Sequence, residues 1–271
     1  MTSLSAALEV ASATHSGMVR SHNEDSIAAD ADAGLAVLAD GMGGYNAGEV
    51  ASGIAVELLR TELKAALESR KPEELNGQGA EQLIVEKTGR ANNAIYQAAQ
   101  SQPQFSGMGT TLVVAVWCDN RMSVGHVGDS RLYRLRGEAL EQVTRDHSLL
   151  QEQIDSGMIT REQARHSQNK NLVTRAVGID PEVEAEIHTY DVVPGDIYLL
   201  CSDGLSDMVV DDDIQSTLAT LQANLPLAAQ QLVQLANDNG GRDNVSVILV
   251  RVLAEFAVPR GWLARFKAWF R

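Results

Sequence analysis

Cysteine is nearly absent: Cys118 and Cys201 are the only two in 271 residues. A disulfide scaffold is thereby excluded, and since both lie in apolar stretches that read as buried strands, a reducing, cytoplasmic setting is expected. No run of about 18 apolar residues occurs, so no membrane span is expected. The opening MTSLSAALEV lacks a basic region and a long apolar core, so no export signal is expected either. Positive charge is also scarce, with 22 Lys and Arg against 36 Asp and Glu and a net charge of −14. That balance argues against a nucleic-acid partner, because most of the surface would repel a phosphate backbone.

What remains is ordinary globular material, 44% hydrophobic and 21% charged, long enough for one large domain. Apolar runs of strand length fall at 35–39, 111–117, 122–127, 131–135, 197–201 and 245–252, bounded by Gly, Asp and Asn. Between them, 47–68 and 80–100 carry helical spacing and are joined by the polar loop RKPEELNGQG, which predicts a helical hairpin. A second helical region is predicted over 211–237, and RLRGEAL predicts a tight antiparallel hairpin. Antiparallel sheet layered against helices is therefore expected, an α+β fold. The polar, weakly periodic stretch 147–171 reads as a helical flap.

Carboxylates at strand ends are plentiful. In LADGMGG an apolar strand runs into Asp40 and a glycine turn, and Gly41 has no side chain to keep its carbonyl from whatever Asp40 binds. Taken alone, Asp-Gly after a strand is an ordinary turn. The arrangement recurs in YLLCSDGLSD, which delivers Asp203, while GGRDNVSVILV places Asp243 and Asn244 before a strand. GHVGDSRLYRL puts Asp129 between two strands, and RSHNEDS adds Glu24 and Asp25. Carboxylates brought within a few ångströms repel or raise each other's pKa, and a cation is the natural compensation. The donors are all oxygen, with no His/Cys cluster at zinc spacing, which favours magnesium or manganese. His22, His126 and His147 lie near these motifs without a paired spacing and read as solvated or structural.

Taken in order, RSHNED, LADGMGG, GMGTT, GHVGDSR, TRDHS, TRAVG, SDGLSD and GGRDNVSV resemble the type 2C metal-dependent protein phosphatases in their short bacterial form, from Ser12 to Val252. The resemblance implies an antiparallel β-sandwich flanked by helical pairs, a four-layer α-β-β-α arrangement with the metal site at one end. It implies two Mn2+ or Mg2+ ions and a third, weaker site. Asp40 would bridge the pair, Gly41 would offer its carbonyl to the second ion, and Asp203 and Asp243 would complete the first. Asp129, with Asp203, would hold the third. Glu24 and Asp25 would act mainly through water, Arg20 would grip the substrate phosphate, and Asn244 would orient the ligand loop. The activity implied is hydrolysis of phosphoserine and phosphothreonine in proteins by metal-activated water, reversing a Ser/Thr kinase. A pseudoenzyme that only binds phosphoproteins is the alternative, disfavoured by the intact Arg20 and aspartate set, and a switch phosphatase devoted to one regulator is a narrower one.

One departure concerns the acid that protonates the leaving group. Met42 stands where eukaryotic members carry histidine, and Tyr45 where many relatives do, so the acid is unassigned. The catalytic domain is expected over 1–253, as a monomer. The remaining 254–271 is unlike the rest: on a helix after Pro259, Trp262, Leu263, Phe266, Trp269 and Phe270 share a face, with Arg260, Arg265, Lys267 and Arg271 mostly elsewhere. Packing on its own acidic domain, docking to a partner and docking to a membrane surface are the three readings of this tail.

Overall fold

The strand Leu112–Cys118 shows how the apolar runs are used. Val113, Ala115 and Trp117 enter one core, while Leu112, Val114 and Val116 enter another on the opposite face. A strand covered on both sides needs no polar alternation, which is why such segments read as continuous runs. The computed structural model describes residues 3–44, 47–71, 74–75, 78–160, 163–164 and 172–258.

Eleven strands occur among the described residues: β1 Leu8–His15, β2 Asp25–Asp30, β3 Leu35–Met42, β4 Gly109–Thr110, β5 Leu112–Cys118, β6 Arg121–Val127, β7 Arg131–Arg136, β8 Ala139–Gln142, β9 Glu186–Asp191, β10 Ile197–Cys201 and β11 Val245–Val252. One sheet runs β1-β11-β10-β7-β8 and the other β2-β3-β5-β6-β9, with β4 paired to β3. The paired strands are antiparallel throughout.

The sheets face each other across a core that includes Leu38, Trp117, Tyr198 and Ile248. Helices α1 (Ala47–Ser69) and α2 (Gln78–Ser101) cover the outer face of the second sheet, where Leu59, Leu63 and Leu67 recur every four residues on the buried side of α1. Two short helices, α3 (Leu149–Asp155) and α4 (Asp203–Ser206), lie at connections. Helices α5 (Asp211–Leu221) and α6 (Leu225–Asp238) cover the first sheet. The layers are therefore helix, sheet, sheet, helix, as expected.

Five strands escape the apolar-run criterion: the two-residue β4, β8 of the expected hairpin, and three more. β1, β2 and β9 lie at sheet edges and carry half-buried polar residues, so they show no run. The helical region expected over 211–237 is two helices: Asn224 caps α6 by accepting the Leu227 N–H at 3.2 Å, and Pro226 follows in its first turn. The flap expected over 147–171 begins with α3, capped by Ser148. Its positions 161–162 and 165–171 lie outside the described residues, as do Tyr45 and the tail from 259. The chain just before the tail is fastened to the β5–β6 turn, where the Phe256 and Val258 N–H groups donate to Asn120 Oδ1 and Asp119 Oδ1.

Candidate metal centre

Strand register brings the first two carboxylates together. Asp25 opens β2 directly opposite Asp40 in β3. The backbone of Asp40 is held on both sides by the GMGTT segment: its N–H donates to Thr111 Oγ1 at 3.0 Å, and its carbonyl accepts from Thr111 N–H and Thr110 Oγ1, each at 2.8 Å. Gly41 has to be glycine, because a Cβ there would collide with the backbone of Gly48 in α1.

The other sheet supplies the rest. Asp203 starts α4 directly after β10, and the preceding Ser202 donates its hydroxyl to Asp25 Oδ2 at 2.8 Å. Ser202 Oγ in turn accepts the Ser246 N–H of β11 at 3.0 Å, so one hydroxyl ties the two sheets beneath the cluster. Asn244 clips the loop that carries Arg20 and Glu24. Its Nδ2 donates to the carbonyls of Ser16 (3.0 Å) and His22 (2.8 Å), and its Oδ1 accepts the Glu24 N–H at 2.8 Å. Arg20, half-exposed at the rim, donates to Asp243 Oδ2 at 2.7 Å.

These placements leave negative charge that the protein itself does not cancel. Asp40 is held well above the ordinary carboxylate range by burial, then by Asp25, Asp203, Asp129 and Asp243. Asp203 is raised likewise, by burial and then by Asp129, Asp207 and Asp243. Burial first, and neighbouring aspartates after it, push Asp25 and Asp129 up to about 6. Glu24, nearer the rim, is raised chiefly by burial. Asp25 Oδ1 is buried without a hydrogen-bond partner. An orphaned oxygen among mutually repelling carboxylates is a donor set for hard divalent cations, and the residues present fit that role.

Asp25 lies inside this cluster rather than on its margin, as its burial and its place opposite Asp40 show. Asp207 was missed in the sequence. It lies one turn beyond Asp203 and lines the same cleft as Asp129 and Asp203, a pocket of about 350 Å³ lined also by Leu150 and Ile154 of α3. The i, i+4 spacing inside SDGLSD was the available signal. Asp146 was also missed: it takes Arg131 in a bidentate pair (Nε to Oδ1 2.9 Å, Nη2 to Oδ2 2.6 Å) and so removes that arginine from the cleft's cationic inventory. The two thiols are buried, and burial pushes Cys118 up to about 11 and Cys201 up to about 12, so neither is a thiolate nucleophile.

The raised carboxylates predict an unusual stability signature. A carboxyl whose folded pKa exceeds its unfolded value binds its proton more tightly when folded. Its stabilising contribution is complete below pH 4 and is lost as pH rises through the folded pKa. For Asp25, moved from 3.8 to about 6, the loss above pH 6 is on the order of 3 kcal/mol. Asp25→Asn in chelator is therefore expected to melt about 5–10 °C above wild type at pH 8, with the gap closing towards pH 5. Scanning calorimetry across that range checks it, and a gap independent of pH would refute the electrostatic account.

Two antiparallel sheets between helical pairs, with a pit of buried carboxylates where the strands end, define a metal-dependent α-β-β-α enzyme. Comparison with known proteins narrows the class. The sequence matches the family described as Protein phosphatase 2C over residues 12–240. It is 36% identical over 240 residues to the Serine/threonine phosphatase stp of Listeria monocytogenes, covering 88% of this chain and 93% of that protein. The crystal structure of the Mycobacterium tuberculosis serine/threonine phosphatase PstP/Ppp matches with a TM-score of 0.80 at 38% identity, covering 91% of this chain and 99% of the other. A PstP catalytic domain in complex with 2 manganese ions matches with a TM-score of 0.80 at 37% identity and the same coverage. The chain belongs to the protein phosphatase 2C family.

Proposed function

We propose that Arg20, Asp40, Asp203 and Asp243 form the working centre of this protein-serine/threonine phosphatase, a phosphoric monoester hydrolase acting on phosphorylated proteins. The observation that carries the assignment is the group of buried Asp25 and half-buried Asp40 and Asp203, raised together and left with an orphaned oxygen. The cofactors are two Mn2+ or Mg2+ ions, as the manganese pair of the PstP catalytic domain supports. Asp40 would bridge them, Gly41 would add its carbonyl to the second, and Asp203 and Asp243 would complete the first. Asp129 with Asp203 would hold a third, weaker ion, and Asp207 faces the same cleft.

When bound, the ions supply Lewis acidity and make water a competent nucleophile near neutral pH. The chain's own residues do the rest. Arg20, kept protonated by its bond to Asp243, presents a planar fork to two phosphate oxygens and balances charge that grows during in-line displacement. Asn244 holds Arg20's loop against Asp243, fixing the clamp relative to the carboxylates. Glu24 and Asp25 orient water and neighbouring ligands from the rim and from within. Met42 has no proton to give to the departing serine or threonine oxygen.

Phosphoserine and phosphothreonine in proteins are made by kinases, so the reaction reverses a Ser/Thr kinase, whose autophosphorylated form or products are the substrates. Two buried thiols fit a reducing cytoplasm, and no described helix is long and apolar enough to cross a membrane. The catalytic domain spans 1–253 and works as a monomer, and the basic tail either packs on its own acidic domain or docks on a partner or membrane surface. Hydrolysis of phosphoserine and phosphotyrosine peptides of the same sequence tests the activity. With Mn2+ the phosphoserine peptide is expected to turn over, to stop on chelation and to resume on Mn2+ repletion. Preference for phosphotyrosine, or turnover indifferent to chelation, would overturn the proposal.

A further inference from the structure

Three of the chain's six histidines gather around one glutamate outside the carboxylate cluster. His126 of β6 is the cross-strand partner of Glu186, the first residue of β9. His147, from the turn before α3, stacks on His126 with ring centroids 4.6 Å apart. One ring nitrogen of each histidine and one carboxylate oxygen of Glu186 lie within 4.8 Å of one another. The other Glu186 oxygen accepts from His188 Nε2 at 2.7 Å, which orients the carboxylate.

The ordinary explanation of such a group is a set of satisfied core side chains, and the hydrogen bonds do not complete it. His126 is 0% exposed and donates Nε2–H to the Arg145 carbonyl at 2.8 Å. Its Nδ1 is then a lone-pair nitrogen, and that atom is buried with no hydrogen-bond partner. Leaving a buried acceptor unpaired is destabilising, because its water partner is lost without replacement. A histidine whose one nitrogen donates to a backbone carbonyl while the other stands open has the arrangement usual for metal-ligating imidazole. His147 is held less firmly: Nδ1 takes the Gly128 N–H at 3.2 Å and Nε2 meets Glu186 Oε2 at 3.4 Å, both long contacts.

We propose that His126, His147 and Glu186 form a second metal site, which binds one zinc-type transition-metal ion and is separate from the all-oxygen catalytic centre. Two imidazoles and a carboxylate suit zinc, whereas magnesium and manganese prefer the aspartate cluster. With zinc–ligand bonds of about 2.0–2.2 Å, tetrahedral ligand atoms stand roughly 3.3 Å apart. The 3.4 Å His147–Glu186 contact meets that spacing, and the remaining separations close with shifts on the order of 1 Å per side chain. Burial lowers the pKa of both imidazoles, so they are neutral at pH 7 and do not make the metal compete with a proton. Coordination through His147 Nε2 moves that ring's proton to Nδ1, with no net proton change, and ends the acceptance of the Gly128 N–H. Gly128 adjoins Asp129, so the ion would tie β6, the root of α3 and β9 together beside the catalytic cleft.

The test uses the full chain, stripped with chelator and dialysed against limiting Zn2+ in excess Mg2+, which occupies oxygen donors and cannot compete at imidazole. One retained zinc per chain is expected in wild type and in Asp40→Asn. Glu186→Gln is expected to weaken retention by at least about tenfold, and His126→Ala to abolish it. Since a core histidine variant can misfold, ring 15N resonances of His126 and His147 in the wild-type chain provide a second measurement, and both are expected to move on zinc addition. No retained zinc, zinc lost in Asp40→Asn but kept in Glu186→Gln, or unmoved ring resonances would each overturn the site.

Discussion

Asp40→Asn is expected to lower metal-dependent turnover by about a thousandfold or more, since altering even groups that merely support a metal ligand costs 10–100-fold. Asparagine keeps the size of the side chain and the backbone bonds to Thr110 and Thr111, so the loss reports charge and ligation rather than shape. The same variant relieves repulsion among Asp25, Asp40 and Asp203, and in chelator at pH 8 it is expected to melt higher than wild type. An enzyme that is inactive yet more stable when metal-free is the signature of a carboxylate kept for cation binding. Steady-state kinetics over a Mn2+ titration, with calorimetry in chelator, measures both. Activity within tenfold of wild type at saturating Mn2+ would remove Asp40 from the centre.

Arg20→Ala is expected to reduce kcat/KM for a phosphopeptide by about a hundredfold, in the range found when one preorganised donor to a charged transition state is removed. Arg20→Lys should recover only part of that, because an ammonium restores charge without the two parallel N–H donors. Stability should hardly change. The Arg20–Asp243 pair is exposed, with side-chain accessibilities of 53% and 30%, and such pairs contribute about 0–1 kcal/mol. Kinetics and melting curves on the same preparations separate the two effects. If kcat/KM for Arg20→Ala stayed within twofold of wild type, the phosphate would have to be held by some other group.

Much of the sandwich was legible in the chain because its central strands are covered on both faces and so appear as apolar runs. The edge strands were not. Asp25–Asp30 and Glu186–Asp191 are half solvated, and they are edge strands only by virtue of what they pair with. The aspartates of the candidate site stood out through the glycine turns beside them. Asp207 did not, since one carboxylate a turn beyond another becomes meaningful only when α4 is seen to face the cleft of Asp129. Likewise nothing in the spacing of His126, His147 and Glu186 joins them: they come from β6, a turn and β9, and meet through strand pairing and ring stacking.

By itself, then, the order of residues determined the central strands, the helical regions, the acidic turns and a family-wide pattern of motifs, because alternation, turn chemistry and local charge act over a few residues. Tertiary structure decided which carboxylates share one pit, which loop Asn244 clips, and where a buried imidazole nitrogen is left open. Those properties depend on burial and on distances between elements remote in sequence. Asp25 raises the pKa of Asp40 only after β2 has paired with β3 in a register that sets them side by side.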